Sequence, residues 1–119
     1  MSSQPTKCKF DAVPTGLGIY IVGGALRDHL LGRNSMDIDI VVHGNPRNLA
    51  NQIAGRFNSR VVPLGPSRHR LFRVVTPNHV FDISKLHGDK LEADLMCRDF
   101  TINALACETW TQNIIDITE

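Results

Sequence analysis

The segment Met36-Asp37-Ile38-Asp39-Ile40-Val41-Val42 constrains the fold more than any other stretch of this chain. Alternating carboxylate and isoleucine is the two-residue period of a strand with one polar and one buried face. In such a strand Asp37 and Asp39 project together while Ile38 and Ile40 face the core. The two carboxylates then stand about 6–7 Å apart and repel one another unless a divalent cation lies between or beside them. Hard oxygen ligands of this kind suit Mg²⁺, which takes one or two carboxylates together with substrate phosphates. On its own, so short a motif also describes an edge strand showing its polar side to water.

The flanking segments supply a second element. Ile19-Tyr20-Ile21-Val22 is a β-rich apolar run ending at Gly23-Gly24. Ala25 to Leu31 reads as a short helix, with Leu26 and Leu30 at i,i+4 and Gly32 as its stop. A strand that passes through glycines into a helix lets an anion approach the backbone N–H groups closely, because no Cβ intervenes. Arg27, one turn in, adds a fork-shaped cation. Neither GxGxxG nor GxxxxGK[ST] is present, and an isolated Gly-Gly equally fits a tight strand-to-helix turn.

Further along, Asn45-Pro46 forms a helix start, with Asn as cap and Pro in the first turn, and Leu49, Ile53 and Phe57 follow on one face. Val61-Val62 is a brief strand and Gly65-Pro66-Ser67 opens a loop. Leu71 to Thr76 and His79 to Ser84 flank Pro77-Asn78 as a β-hairpin. Leu91 to Met96 and Phe100 to Cys107 read as helical, and Ile114 to Ile117 as extended. The expectation is one α+β (mixed α/β) domain, a small mixed sheet flanked by helices. Residues 1–15 form a flexible lead-in and 16–119 the domain proper.

With 119 residues, 42% apolar and 21% charged, the chain has the size and balance of one globular domain, which excludes wholesale disorder. The longest uncharged run, Ala12 to Leu26, holds Pro14 and four glycines and falls short of the ~20 residues of a membrane span. Asp11, Pro14 and those glycines also interrupt any signal-peptide core. Three cysteines, Cys8, Cys97 and Cys107, without a CxxC pair read as reduced thiols of a cytoplasmic protein. The net charge of +1 hides an asymmetry: Ile40 to Phe81 carries six arginines and no acid, whereas Asp82 to Glu119 carries eight acids against three bases. A basic stretch beside a carboxylate-rich one suits a polyanionic substrate held near metal ions, although a solvated basic face fits as well.

Gly23-Gly24-Ala25-Leu26-Arg27-Asp28 followed by Asp37-Ile38-Asp39-Ile40-Val41-Val42 resembles motif A of the class II tRNA nucleotidyltransferases. These comprise CCA-adding enzymes and bacterial poly(A) polymerases, within the polymerase-β nucleotidyltransferase superfamily. Arg98-Asp99-Phe100-Thr101-Ile102-Asn103-Ala104 resembles their motif B, RRDFTxNA, with Cys97 in place of its first arginine. The resemblance covers most of residues 16–119 and implies a polymerase-β-like catalytic head. It implies that Asp37 and Asp39 hold two Mg²⁺ and that Gly23, Gly24, Arg27 and Asp28 line the nucleotide site. Arg98, Asp99 and Asn103 would border the nucleotide sugar.

Asp82, on the second strand of the hairpin, is where this superfamily often completes its carboxylate set, and a plain surface Asp fits equally. Leu71 to Val75 stands where the family tends to show Gly-Thr-Val-Arg, with Gly and Thr missing. Arg68, Arg70 and Arg73 are the candidates for contact with nucleotide or RNA phosphates. The loop before Leu91 is shorter than usual, and the EDxxR-type helix of the family's neck does not occur, so the chain reads as a head without neck or body. The activity implied is template-independent transfer from a nucleoside triphosphate, ATP or CTP, to the 3′ end of RNA. The substrate would be a tRNA receiving CCA. A poly(A) polymerase head, or a nucleotide- or RNA-binding module without turnover, are the alternatives. No membrane partner is implied, and oligomeric state is left open.

Overall fold

The computed structural model describes residues 8, 10–86 and 105–116. Its elements run β1 (Ile19–Val22), α1 (Gly24–Leu30), β2 (Asp37–Val42), α2 (Pro46–Arg56) and β3 (Val61–Leu64), followed by a short 3₁₀ turn (Ser67–His69). Then come β4 (Leu71–Val75), β5 (Val80–Lys85), β6 (Leu105–Glu108) and β7 (Asn113–Asp116). The seven strands form one mixed sheet in the order β3-β4-β5-β2-β1-β6-β7. β2 and β5 pair in parallel and every other neighbour is antiparallel. The expected mixed sheet flanked by helices is therefore present.

Alternation decides which side of the sheet each residue serves. Ile38, Ile40 and Val42 join Ile21, Leu26, Leu49, Ile53, Val74, Phe81 and Ile83 in the main core, into which both helices pack. Val41 turns the other way, into a smaller cluster with Val22, Leu86 and Ala106. α2 starts as its sequence predicts. Pro46 occupies the first turn, and Asn45 Oδ1 accepts a hydrogen bond from the Arg47 N–H at 2.9 Å. Leu49 and Ile53 are buried and Phe57 packs against the same core, so this one face fixes α2 to the sheet. Each such buried side chain contributes roughly 1.5–3 kcal/mol.

Three local expectations need correction. Leu105 to Cys107 is not helical but part of β6, which pairs with β1 through Val22↔Ala106 and Ile21↔Cys107. Ala106 and Cys107 are buried on opposite faces, so the segment lacks the alternation that betrays a half-exposed strand. The rest of the two expected helices, 91–104, lies outside the described residues. Secondly, Cys8 and Cys107 are not separate thiols; they form a disulfide with Cα atoms 6.2 Å apart. Thirdly, the lead-in is tied down where it is described. Cys8 and Val13 are 1% and 3% exposed, and the Cys8 N–H donates to the Gln112 carbonyl at 2.9 Å.

Candidate active site

The site is built from three adjacent strands. β2 and β5 align Asp39 with Asp82, and β5 and β4 align Asp82 with Arg73. Residues in register point to the same face, so Asp39, Asp82 and Arg73 form one row at strand spacings of about 4.8 Å. Asp37 stands two residues before Asp39 on that same face. Solvent reaches the row: Asp37 is exposed, Asp39 half-buried, and the Arg73 and Asp82 side chains are 42% and 22% exposed.

Arg73 grips Asp82 with both arms of its fork, Nε to Oδ1 at 2.7 Å and Nη2 to Oδ2 at 3.0 Å. Bidentate, charge-assisted pairing of this kind is geometrically selective. The pKa of Arg73 is raised above its ordinary value, first by the hydrogen bonds it donates to Asp82, then by the charge of Asp82. Weaker contributions of the same sign come from Asp37 and Asp39, so a single guanidinium feels all three carboxylates.

This arrangement tests the fit of a metal. Asp37 and Asp39 offer hard oxygen donors from one strand face, as a divalent cation requires. Asp82 is their neighbour on the next strand, but both of its oxygens are engaged by Arg73. Among the described residues no group of three or more His, Cys, Asp or Glu side chains is placed to hold one ion. Asp37 and Asp39 are thus the residues that would hold a metal here, and Asp82 is paired with Arg73.

The Gly-Gly turn follows β1 directly, one residue beyond Val22, which pairs with Asp39. It therefore arrives at the end of the sheet where Asp37 lies. Gly23 has φ +78° and is the α1 cap, a conformation that strains any residue with a Cβ. Gly24 has no such need: a Cβ there would meet only Arg27 Nη2, at 3.9 Å. The same measurement brings the exposed Arg27 guanidinium back to the glycine turn. Asp28 closes the other end of α1, its carbonyl accepting from the Arg33 N–H at 2.8 Å.

The structure divides the three arginines predicted to contact phosphates. Arg73 belongs to the carboxylate row, whereas Arg68 and Arg70 sit on the 3₁₀ turn and just beyond it, in a groove shared with Arg47 and Lys85. Sequence reasoning missed Arg47 and Lys85 as site residues, although Arg47 lies inside the acid-free stretch. Arg98, Asp99 and Asn103 lie outside the described residues.

Residues 19–119 match the family model described as Poly A polymerase head domain. The chain is similar to a CC-adding tRNA nucleotidyltransferase of Geobacter sulfurreducens, at 41% identity over 103 residues, 85% of this chain and 24% of the relative. It is similar to another of that name from Synechocystis, at 41% over 98 residues, 81% of this chain and 23% of the relative. In structure it is similar to a tRNA nucleotidyltransferase solved with a primer tRNA and an incoming ATP analog, with TM-score 0.70 and 32% identity. That likeness covers 85% of this chain and 31% of the other. The chain thus spans about a quarter of the length of the curated relatives it matches. A motif pair read from residues, a sheet that brings its carboxylates together, and these matches lead to one conclusion: the chain belongs to the Poly A polymerase head domain family.

Proposed function

We propose that this chain is the catalytic head of an enzyme that transfers nucleotides from ATP or CTP to the 3′ end of RNA, with tRNA 3′-CCA addition or repair as its task. The observation that carries the reading is the placement of Asp37 and Asp39 on one solvent-reached strand face, beside Asp82 and Arg73. The two curated relatives are both named for CC addition, which supports a tRNA end as the acceptor. A cytoplasmic setting belongs to this proposal through the tRNA-directed names of the relatives; separately, among the described residues no helix is long and apolar enough to cross a membrane.

Nucleotidyltransferases of this family are generally metal-dependent. Asp37 and Asp39 would hold two Mg²⁺, which supply activation of the attacking hydroxyl and charge neutralisation on the triphosphate. In the reaction the RNA 3′-oxygen bonds to the α-phosphorus, the bond to the bridging oxygen breaks, and pyrophosphate leaves as the hydroxyl proton is lost. The chain's own residues hold these groups. Gly23 and Gly24 let the triphosphate approach the backbone, and Arg27 supplies a fork to its oxygens. Arg73 orients Asp82 and adds positive charge beside the carboxylates. Arg98, Asp99 and Asn103 border the sugar in this reading, by their match to motif B.

The test is incubation of a longer protein carrying this head with tRNA lacking its 3′ end, offering CTP and ATP separately. Mg²⁺-dependent extension that disappears in Asp37→Asn and in Asp39→Asn is expected. Extension by long runs of A would make the protein a poly(A) polymerase. Binding of triphosphate without any extension would make it a binding module and overturn the transferase reading.

A further inference from the structure

We propose that the groove between the start of α2 and the Ser67–His69 turn is a second anion site, which anchors the phosphodiester backbone of RNA away from the carboxylates. This rests on the reading of the chain as an RNA-directed transferase and extends it to how the RNA is held. The groove encloses about 700 Å³, and Arg47, Arg68, Arg70 and Lys85 line it. No acid occurs between Ile40 and Phe81, and among the described residues none of the four cations pairs with a carboxylate. Among the described residues their charge therefore faces the groove without a compensating carboxylate.

The cations are set in place by their surroundings. The Arg47 guanidinium lies 4.8 Å from the centroid of the Phe72 ring, a cation–π seat that holds it at the rim. Among the described residues the buried Arg70 Nε has no hydrogen-bond partner, so an N–H of a charged group stands unanswered there. Among the described residues the Lys85 ammonium makes one long contact, 3.4 Å, to the His43 carbonyl. The eleven-residue α2 begins in the same groove and turns the positive end of its dipole toward it.

The lining selects a backbone and not a base. Phe72 is 7% exposed and already covered by Arg47, so it offers no face for stacking. Asn45 and Ser67 are the neutral polar side chains of the lining, too few to read a base edge. Four cations lining an open groove suit a run of phosphates. The site is also separate from the carboxylate row. Lys85 lies three residues beyond Asp82 on β5, about 10 Å along the strand and on the opposite face. RNA seated at both places would bend around the ends of β2 and β5.

The experiment measures how binding of a single-stranded RNA oligomer falls with salt, for the full chain and for Arg47→Gln/Arg68→Gln/Lys85→Gln. A thermal melt checks that the variant folds, and a parallel titration uses inorganic tripolyphosphate. Each phosphate contact contributes about 0.7 to the log–log salt slope for single strands. Removing three cations should therefore flatten the slope by about 2, while tripolyphosphate binding changes little. An unchanged slope in a folded variant overturns the groove assignment and leaves the transferase reading standing. An equal loss of tripolyphosphate binding also overturns it, since the groove would then serve free phosphates. If the unmodified chain binds no RNA at any salt, the groove assignment fails, and the extension assay on the longer protein decides the parent reading separately.

Discussion

The carboxylate row and the basic groove occupy opposite faces of the same two strands, and they treat charge in opposite ways. In the row, Arg73 is matched by Asp82 through two hydrogen bonds and by the nearby Asp37 and Asp39. In the groove, four cations gather with no carboxylate among them. Compensated charge fixes geometry, because each group is oriented by its partner. Uncompensated charge attracts a polyanion and tolerates many arrangements of it. A sheet that carries both can hold its reacting groups tightly and its polymer loosely.

Six substitutions break or sharpen this contrast. Asp37→Asn and Asp39→Asn should each lower metal-dependent transfer at least about a hundredfold, as loss of a metal ligand removes several kcal/mol of transition-state stabilisation. The RNA salt slope should stay as it was. A parallel drop in salt dependence would show that the two regions are one site. Next in size, Gly23→Ala should destabilise the fold by roughly 1–3 kcal/mol, because its φ of +78° admits no Cβ without strain. Gly24→Ala, one residue on, should stay within about 0.5 kcal/mol of the parent. Thermal melts compare the two, and equal losses would refute the distinction drawn between these glycines.

Asn45→Ala should cost about 1 kcal/mol by removing the cap on the Arg47 N–H. That corresponds to a melting midpoint lower by roughly 4–8 °C for a domain near this size. The last effect, on metal affinity, concerns Arg73→Gln, which releases Asp82. A change of about threefold in the Mg²⁺ concentration for half-maximal transfer is expected. A flattened RNA salt slope instead would move Arg73 into the groove's company. The Arg73 charge itself supplies no pH step near neutrality. Its ionisation is raised, so any stability it confers is complete below its unfolded value and is lost only as pH rises through the strongly alkaline range.

Much of the arrangement around Asp37 and Asp39 was legible because period, cap and turn agreed. The alternation gave β2 and the side on which its carboxylates lie, Asn45-Pro46 gave the start of α2, and Gly23 gave the tight entry into α1. What sequence could not supply was long-range pairing. Leu105 to Cys107 carries no alternation and becomes a strand only because β1 has an edge to be covered. The Cys8–Cys107 disulfide joins residues 99 positions apart, a distance over which spacing carries no information. Arg73 and Arg68 look alike in the chain, and only the strand register sends one to Asp82 and the other to the groove.

The parallel pairing of β2 with β5 has a kinetic consequence. Asp39 and Asp82 are neighbours across a long excursion of the chain that carries α2, β3 and β4 before returning alongside β2. Closing so long an excursion is slow compared with making a hairpin, since chain entropy must be surrendered before any contact rewards it. α2 is the element that holds the excursion against the sheet, through Leu49 and Ile53. The lifetime of the assembled carboxylate row therefore depends on a helix that touches none of its members. A truncation such as Ile53→Ala would be felt first as a site that forms late and opens early.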